Sequence, residues 1–154
     1  MTSTTIRKAT VSDSHIISQL ISSNAQSLLQ DDFEDDGLNF FLNAVKKTSI
    51  KEYMEQGFAY WVAEINDEIV GVVAVKDFSH LFHLFVDKAH HKKGIAKQLW
   101  QEVLKYSLAN DNNGMFTLNS TSYALPVYQN WGFVTTDEEQ MRHGIRFTPM
   151  KLVV

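Results

Sequence analysis

Apolar residues recur along this chain with two different spacings, and the switch between them lays out the fold. Over residues 13–29, Ile16, Ile17, Leu20, Ile21, Ala25 and Leu28 fall on one side of a helix, and Ser12-Asp13 ahead of them offers a cap. A second helical stretch follows near Leu38–Val45. Ser49-Ile50-Lys51-Glu52 matches a capping box and predicts a helix from there to Gly57. Beyond it the period shortens. Phe58–Ile65 and Ile69–Lys76 are rich in β-branched and aromatic residues, and Asn66-Asp67 between them suits a two-residue hairpin turn. Leu81–Val86 predicts a further strand, and Thr5–Ala9 an earlier one.

Gly94–Leu108 returns to helical spacing through Ile95, Leu99, Trp100, Val103 and Leu104. The turn Asp111-Asn112-Asn113-Gly114 leads to a short strand, Met115–Asn119, and a short helix, Ala124–Trp131. Pro126 opens that helix, where a missing N–H costs little. Phe133–Thr136 and Arg146–Val153 close the chain as strands. Early helices, then mainly antiparallel strands with one strand–turn–helix crossover, place the chain in the α+β (α/β) class.

Composition narrows the chemistry. The 154 residues suit one domain over 1–154, and no apolar run approaches the length of a membrane span. The segment Met1–Ile6 is polar and lacks an apolar signal core, so the expected location is cytoplasmic, without a membrane partner. Absence of cysteine removes disulfides, thiolate zinc sites, iron–sulfur clusters and a cysteine nucleophile. A net charge of −4 disfavours nucleic acid as a partner, because wrapping it needs clustered positive charge.

One stretch points to a ligand. His91-Lys92-Lys93-Gly94-Ile95-Ala96 lies between the strand end Leu84-Phe85-Val86 and a helix start. The first N–H groups of a helix have no partner within it, and the helix dipole favours an anion there. Two lysines add formal charge, so a phosphate group is the expected ligand. No metal is expected. On a regular strand His80 and His83 point to opposite faces and share no ion unless a bulge intervenes.

Three features then align with one family: Phe85-Val86-Asp87 followed by His91-x-x-Gly94-x-Ala96, Asn119 at the end of the next strand, and Tyr128-x-x-x-Gly132-Phe133. In this order they resemble the GNAT superfamily of acetyl-CoA-dependent N-acetyltransferases, over essentially the whole chain. The resemblance implies a mixed, mostly antiparallel sheet of about six to seven strands flanked by about four helices. It also implies acetyl-CoA as donor substrate and acetyl transfer to a primary amine by direct attack in a ternary complex.

Residue roles carry over position by position. Backbone groups of Leu84, Phe85 and Val86 would bind the pantetheine arm and polarise the thioester. The turn of His91, Lys92, Lys93, Gly94, Ile95 and Ala96 would cradle the pyrophosphate, with Asn119 hydrogen-bonding the arm. Tyr128 would protonate the leaving thiolate. His91 stands where the family usually has Gln or Arg, which makes pH-dependent binding an expectation. The family's catalytic glutamate, where present, falls at His80; His83 is the second candidate base. Each histidine equally suits an inert, half-buried sheet position.

The acidic loop around Asp31–Asp36 occupies the region that walls the acceptor site in this family, which makes Asp32, Phe33 and Asp36 candidate contacts to a cationic amine. Family members often dimerise, and a homodimer through Arg146–Val153 stays open. Two rivals also stand: a CoA-binding sensor or partner module that has lost catalysis, and a transferase of longer acyl groups.

Overall fold

A computed structural model describes residues 3–154; Met1 and Thr2, the first part of the polar N-terminal segment, lie outside it. The chain runs β1 (Thr5–Lys8), α1 (Ser14–Leu28), α2 (Gly37–Ala44), α3 (Lys47–Glu55), β2 (Ala59–Ile65), β3 (Glu68–Lys76) and β4 (His80–Val86). It continues through α4 (Ile95–Leu108), β5 (Met115–Ser120), α5 (Leu125–Asn130), β6 (Val134–Thr135), β7 (Gln140–Arg142) and β8 (Ile145–Val153). The strands form one sheet in the order β1-β2-β3-β4-β5-β8-β6, with β7 added on β8. Every pairing is antiparallel except β4 with β5. Among the described residues that makes eight strands and five helices, slightly more than the sequence reading expects.

Two layers of core explain why β2 and β3 read as nearly continuous apolar runs: both faces of the sheet are covered. Along β2, Tyr60 and Val62 face Ile17 and Ile21 of α1, whereas Trp61 and Ala63 face the layer of Leu99 and Val103 on α4. Asn66 and Asp67 both take left-handed backbone, as the tight hairpin predicted there requires. The capping-box prediction fails in its placement. Helix α3 starts at Lys47, and the Ser49 hydroxyl donates back to the Asn43 carbonyl at 2.9 Å.

Two irregularities in β4 make the site. First, the register jumps from Ala74↔His83 to Val75↔Leu81, so Phe82 is an extra, unpaired residue. This bulge alters the face argument for the histidines. Phe82 and Phe85 pack on the α1 side and His83 bonds Tyr60 there, while Leu81 packs on the α4 side. Alternation from Leu81 puts His80 on the α1 side as well, so both histidines share a face. Second, β4 pairs with β5 only at His80↔Thr117 and Leu81↔Leu118. Beyond that point the two strands part.

Candidate acyl-transfer cleft

The parting of β4 from β5 opens a cleft of about 540 Å³. Leu84, Phe85 and Val86 form one wall, and the start of α4 forms its end. On their β3 side these three residues are paired with Val73, Val72 and Gly71; on the other side no strand among the described residues covers them. The Val86 carbonyl is occupied all the same. The His91 Nε2–H donates to it at 2.7 Å, and in the neutral ring Nδ1 accepts from the Tyr123 hydroxyl at 3.2 Å. His91 thus fastens the turn to the end of β4 and to the loop after β5.

Lys92 and Gly94 both adopt left-handed backbone. That conformation is costless for glycine and lets the turn double back into the α4 start. Gln98 N–H to the Gly94 carbonyl is the first α4 bond, so the N–H groups ahead of it, including those of Ile95 and Ala96, stay free at the mouth. Lys92, Gly94, Ile95 and Ala96 all line the cleft. Lys93 does not, and donates instead to His90 Nδ1 at 3.3 Å. Lys97, in the first turn of α4 and without a motif of its own, lines it too.

Opposite stands Tyr128. Gly132 takes left-handed backbone, which lets the Phe133 N–H reach the Tyr128 carbonyl at 3.0 Å and ends α5. The buried Phe133 ring then packs against the Tyr128 ring, with centroids 5.8 Å apart. The motif Tyr-x-x-x-Gly-Phe is therefore a helix C-cap that sets the tyrosine. Tyr128 is 8% exposed and lines the cleft, and burial pushes its phenol above the ordinary tyrosine value.

The candidate bases fare differently. His83 is buried, and its Nδ1 lies 3.0 Å from the Tyr60 hydroxyl. That hydroxyl is itself buried and has this single partner, so its hydrogen is satisfied when it donates to Nδ1. In that tautomer the remaining ring proton sits on Nε2. Burial also lowers the His83 pKa to about 3. The structure thus places His83, the second candidate base, in the core on the α1 side rather than on the cleft lining. His80 shares a 2.8 Å hydrogen bond with the Thr117 hydroxyl; burial, then the Lys76 ammonium, lower its pKa against an opposing pull from Asp77. Neither histidine lines the cleft, and among the described residues no three side chains are grouped to hold a metal.

Because His83 binds its proton far less readily folded than unfolded, the unfolded chain takes up more protons between the two pKa values. Its contribution is complete above the unfolded value and is lost as pH falls toward the folded one. We expect wild-type stability to drop by about 2 kcal/mol from this residue between about pH 6.5 and 5. Urea unfolding at both pH values measures it, and His83→Gln should remove most of the drop. An unchanged pH dependence in the variant would exclude His83 as the source.

The acidic loop is not an open carboxylate wall. Asp32 is 3% exposed, and its carboxylate accepts from the Ser122 N–H at 3.1 Å and the Ser122 hydroxyl at 2.8 Å. Phe33 bridges to Ile145 of β8 and packs against Phe41. Asp36 is exposed at the start of α2. None of the three lines the cleft, nor does Asn119, which is exposed on β5. In their place Asn24, Leu28 and Leu29 from the end of α1 form the wall, with Thr121, Tyr123 and Trp131 across from them. The α1 apolar pattern contains Leu28, but nothing local distinguishes it from core.

Comparison with known proteins places this fold in a family. Residues 29–154 match the acetyltransferase (GNAT) domain family, and the chain belongs to that family. It is 33% identical over 100 residues to human N-acetyltransferase 8, covering 57% of this chain and 44% of that protein. It therefore spans less than half of that relative's length. In fold it is similar to a GCN5-related N-acetyltransferase from Rhodopseudomonas palustris, with TM-score 0.86, 16% identity and coverage of 100% and 98%. The PaiA N-acetyltransferase from Thermoplasma acidophilum, solved in complex with coenzyme A, gives TM-score 0.80, 15% identity and 99% coverage of each chain. Among the described residues no helix is long and apolar enough to cross a membrane.

Proposed function

We propose that this chain transfers an acetyl group from acetyl-CoA to a primary amine by direct attack within a ternary complex. One observation carries the reading: the uncovered side of β4, the free N–H groups at the α4 start and the Tyr128 phenol line a single cleft. The α4 start and Lys92 hold the pyrophosphate. The Leu84–Val86 edge lies along the pantetheine arm, and one of its N–H groups stabilises the oxyanion. The amine nitrogen attacks the thioester carbonyl and forms a tetrahedral intermediate. Its collapse breaks the C–S bond; the leaving thiolate takes the Tyr128 proton, and the proton that the attacking nitrogen sheds in becoming an amide returns through water to the phenolate. A raised phenol pKa makes that donation harder against a thiol in water, but the thiolate is desolvated in the same apolar cleft and gains proton affinity with it.

With His83 neutral and His80 away from the cleft, the acceptor ammonium loses its proton to water before attack. An alkylamine has a pKa of about 10, so kcat/KM should rise about tenfold per pH unit from about pH 6 to 9. The measurement is thiol release from acetyl-CoA over a panel of primary amines. A plateau above about pH 7 would instead reveal a histidine base. Tight CoA binding with no thiol release for any amine would favour the sensor.

A further inference from the structure

The buried carboxylate of Asp32 has no part in the chemistry above, yet both its oxygens are used. They accept from one residue, Ser122, 90 positions along the chain. Burying a carboxylate costs several kcal/mol unless hydrogen bonds compensate, and charge-assisted bonds are the strong ones. The two ends of this contact define what it ties together. Asp32 follows the wall residues Leu28 and Leu29, and its own N–H donates to the Leu29 carbonyl at 3.0 Å. Ser122 sits in the loop that opens α5, where the Thr121 hydroxyl accepts the Ala124 N–H at 3.1 Å. The next residue, Tyr123, reaches His91 on the phosphate turn. Four residues past Ala124 comes Tyr128.

We propose that Asp32 is a positioning residue: its carboxylate clamps the β5–α5 loop to the α1–α2 segment and so sets the Tyr128 phenol against the thioester. The proposal rests on the acetyl-transfer reading. The acidic loop thereby acts on the leaving group rather than on the charge of the acceptor. Asp32→Asn keeps the shape but turns an amide N–H or a weaker acceptor toward Ser122, so one of the two bonds is lost.

The test is a double-mutant cycle read by thiol release. Asp32→Asn should lower kcat about tenfold with the KM for acetyl-CoA within about twofold, because a phenol displaced by under an ångström loses its alignment. In a Tyr128→Phe background the same change should cost less than about twofold, since no phenol remains to be placed. A full tenfold loss in that background, or wild-type kcat in Asp32→Asn alone, overturns the proposal. If Asp32→Asn fails to fold, Ser122→Ala serves in its place, with about a threefold effect expected to vanish in the same background. Amide exchange over residues 121–128 separates the two readings. If no amine is acetylated the transfer reading fails, yet the clamp still predicts faster exchange there in Asp32→Asn; unchanged exchange overturns the clamp.

Discussion

Tyr128→Phe should lower kcat for acetyl transfer about a hundredfold while leaving the affinity for acetyl-CoA within about twofold. The size follows from what the phenol supplies. Without it the thiolate must leave unprotonated into an apolar cleft, where an unsolvated charge is costly. The substitution removes one oxygen from a ring packed against Trp131 and Phe133, with centroids 5.6 and 5.8 Å away. Packing is therefore kept, and the loss reads on chemistry. Single-turnover kinetics and CoA titration measure the two quantities separately. Equal loss of kcat and binding would indicate a collapsed cleft, and unchanged turnover would remove Tyr128 from the mechanism.

Gly37→Ala should destabilise the fold by about 3 kcal/mol, although alanine is the better helix former. A Cβ on Gly37 would lie 2.0 Å from the Gly144 carbonyl oxygen and 2.6 Å from its carbon. Both atoms are backbone in the turn between β7 and β8, so no side chain can swing aside. Helix propensity favours alanine by up to about 1 kcal/mol, and the clash outweighs it. The same contact docks the acidic segment on the sheet. The Glu34 N–H donates to the Gly144 carbonyl at 2.8 Å, Glu34 pairs with Arg146, and Phe40 stacks on His143 at 4.2 Å. Urea unfolding reads the stability. A variant as stable as wild type would mean that α2 does not rest on the hairpin.

The contrast between these residues shows what the chain discloses locally. The helix over 95–108, the strand before it and the C-cap after Tyr128 are all written within a few positions, in spacing and turn chemistry. Strand β7 is not legible in the sequence because it has three residues and no alternation long enough to read; His143-Gly144 between Arg142 and Ile145 is the turn signal beside it. The bulge at Phe82 was equally hidden. An extra residue in a strand leaves no mark in an apolar run, yet it moved two histidines to one face and left each with a different partner.

By itself, then, the sequence determined most of the order of elements, the glycine turn ahead of α4 and the tyrosine beside its glycine cap. Those rest on backbone hydrogen bonds spanning a few residues and on the period of burial. Only the tertiary structure decided that the Asp32 carboxylate is buried against Ser122, that His83 is buried against Tyr60, and that Leu28 and Leu29 wall the cleft. Such properties belong to a residue's surroundings. Solvent exclusion and a partner 90 positions away for Asp32, or 23 for His83, set them, and both come into being only when the sheet closes the chain upon itself.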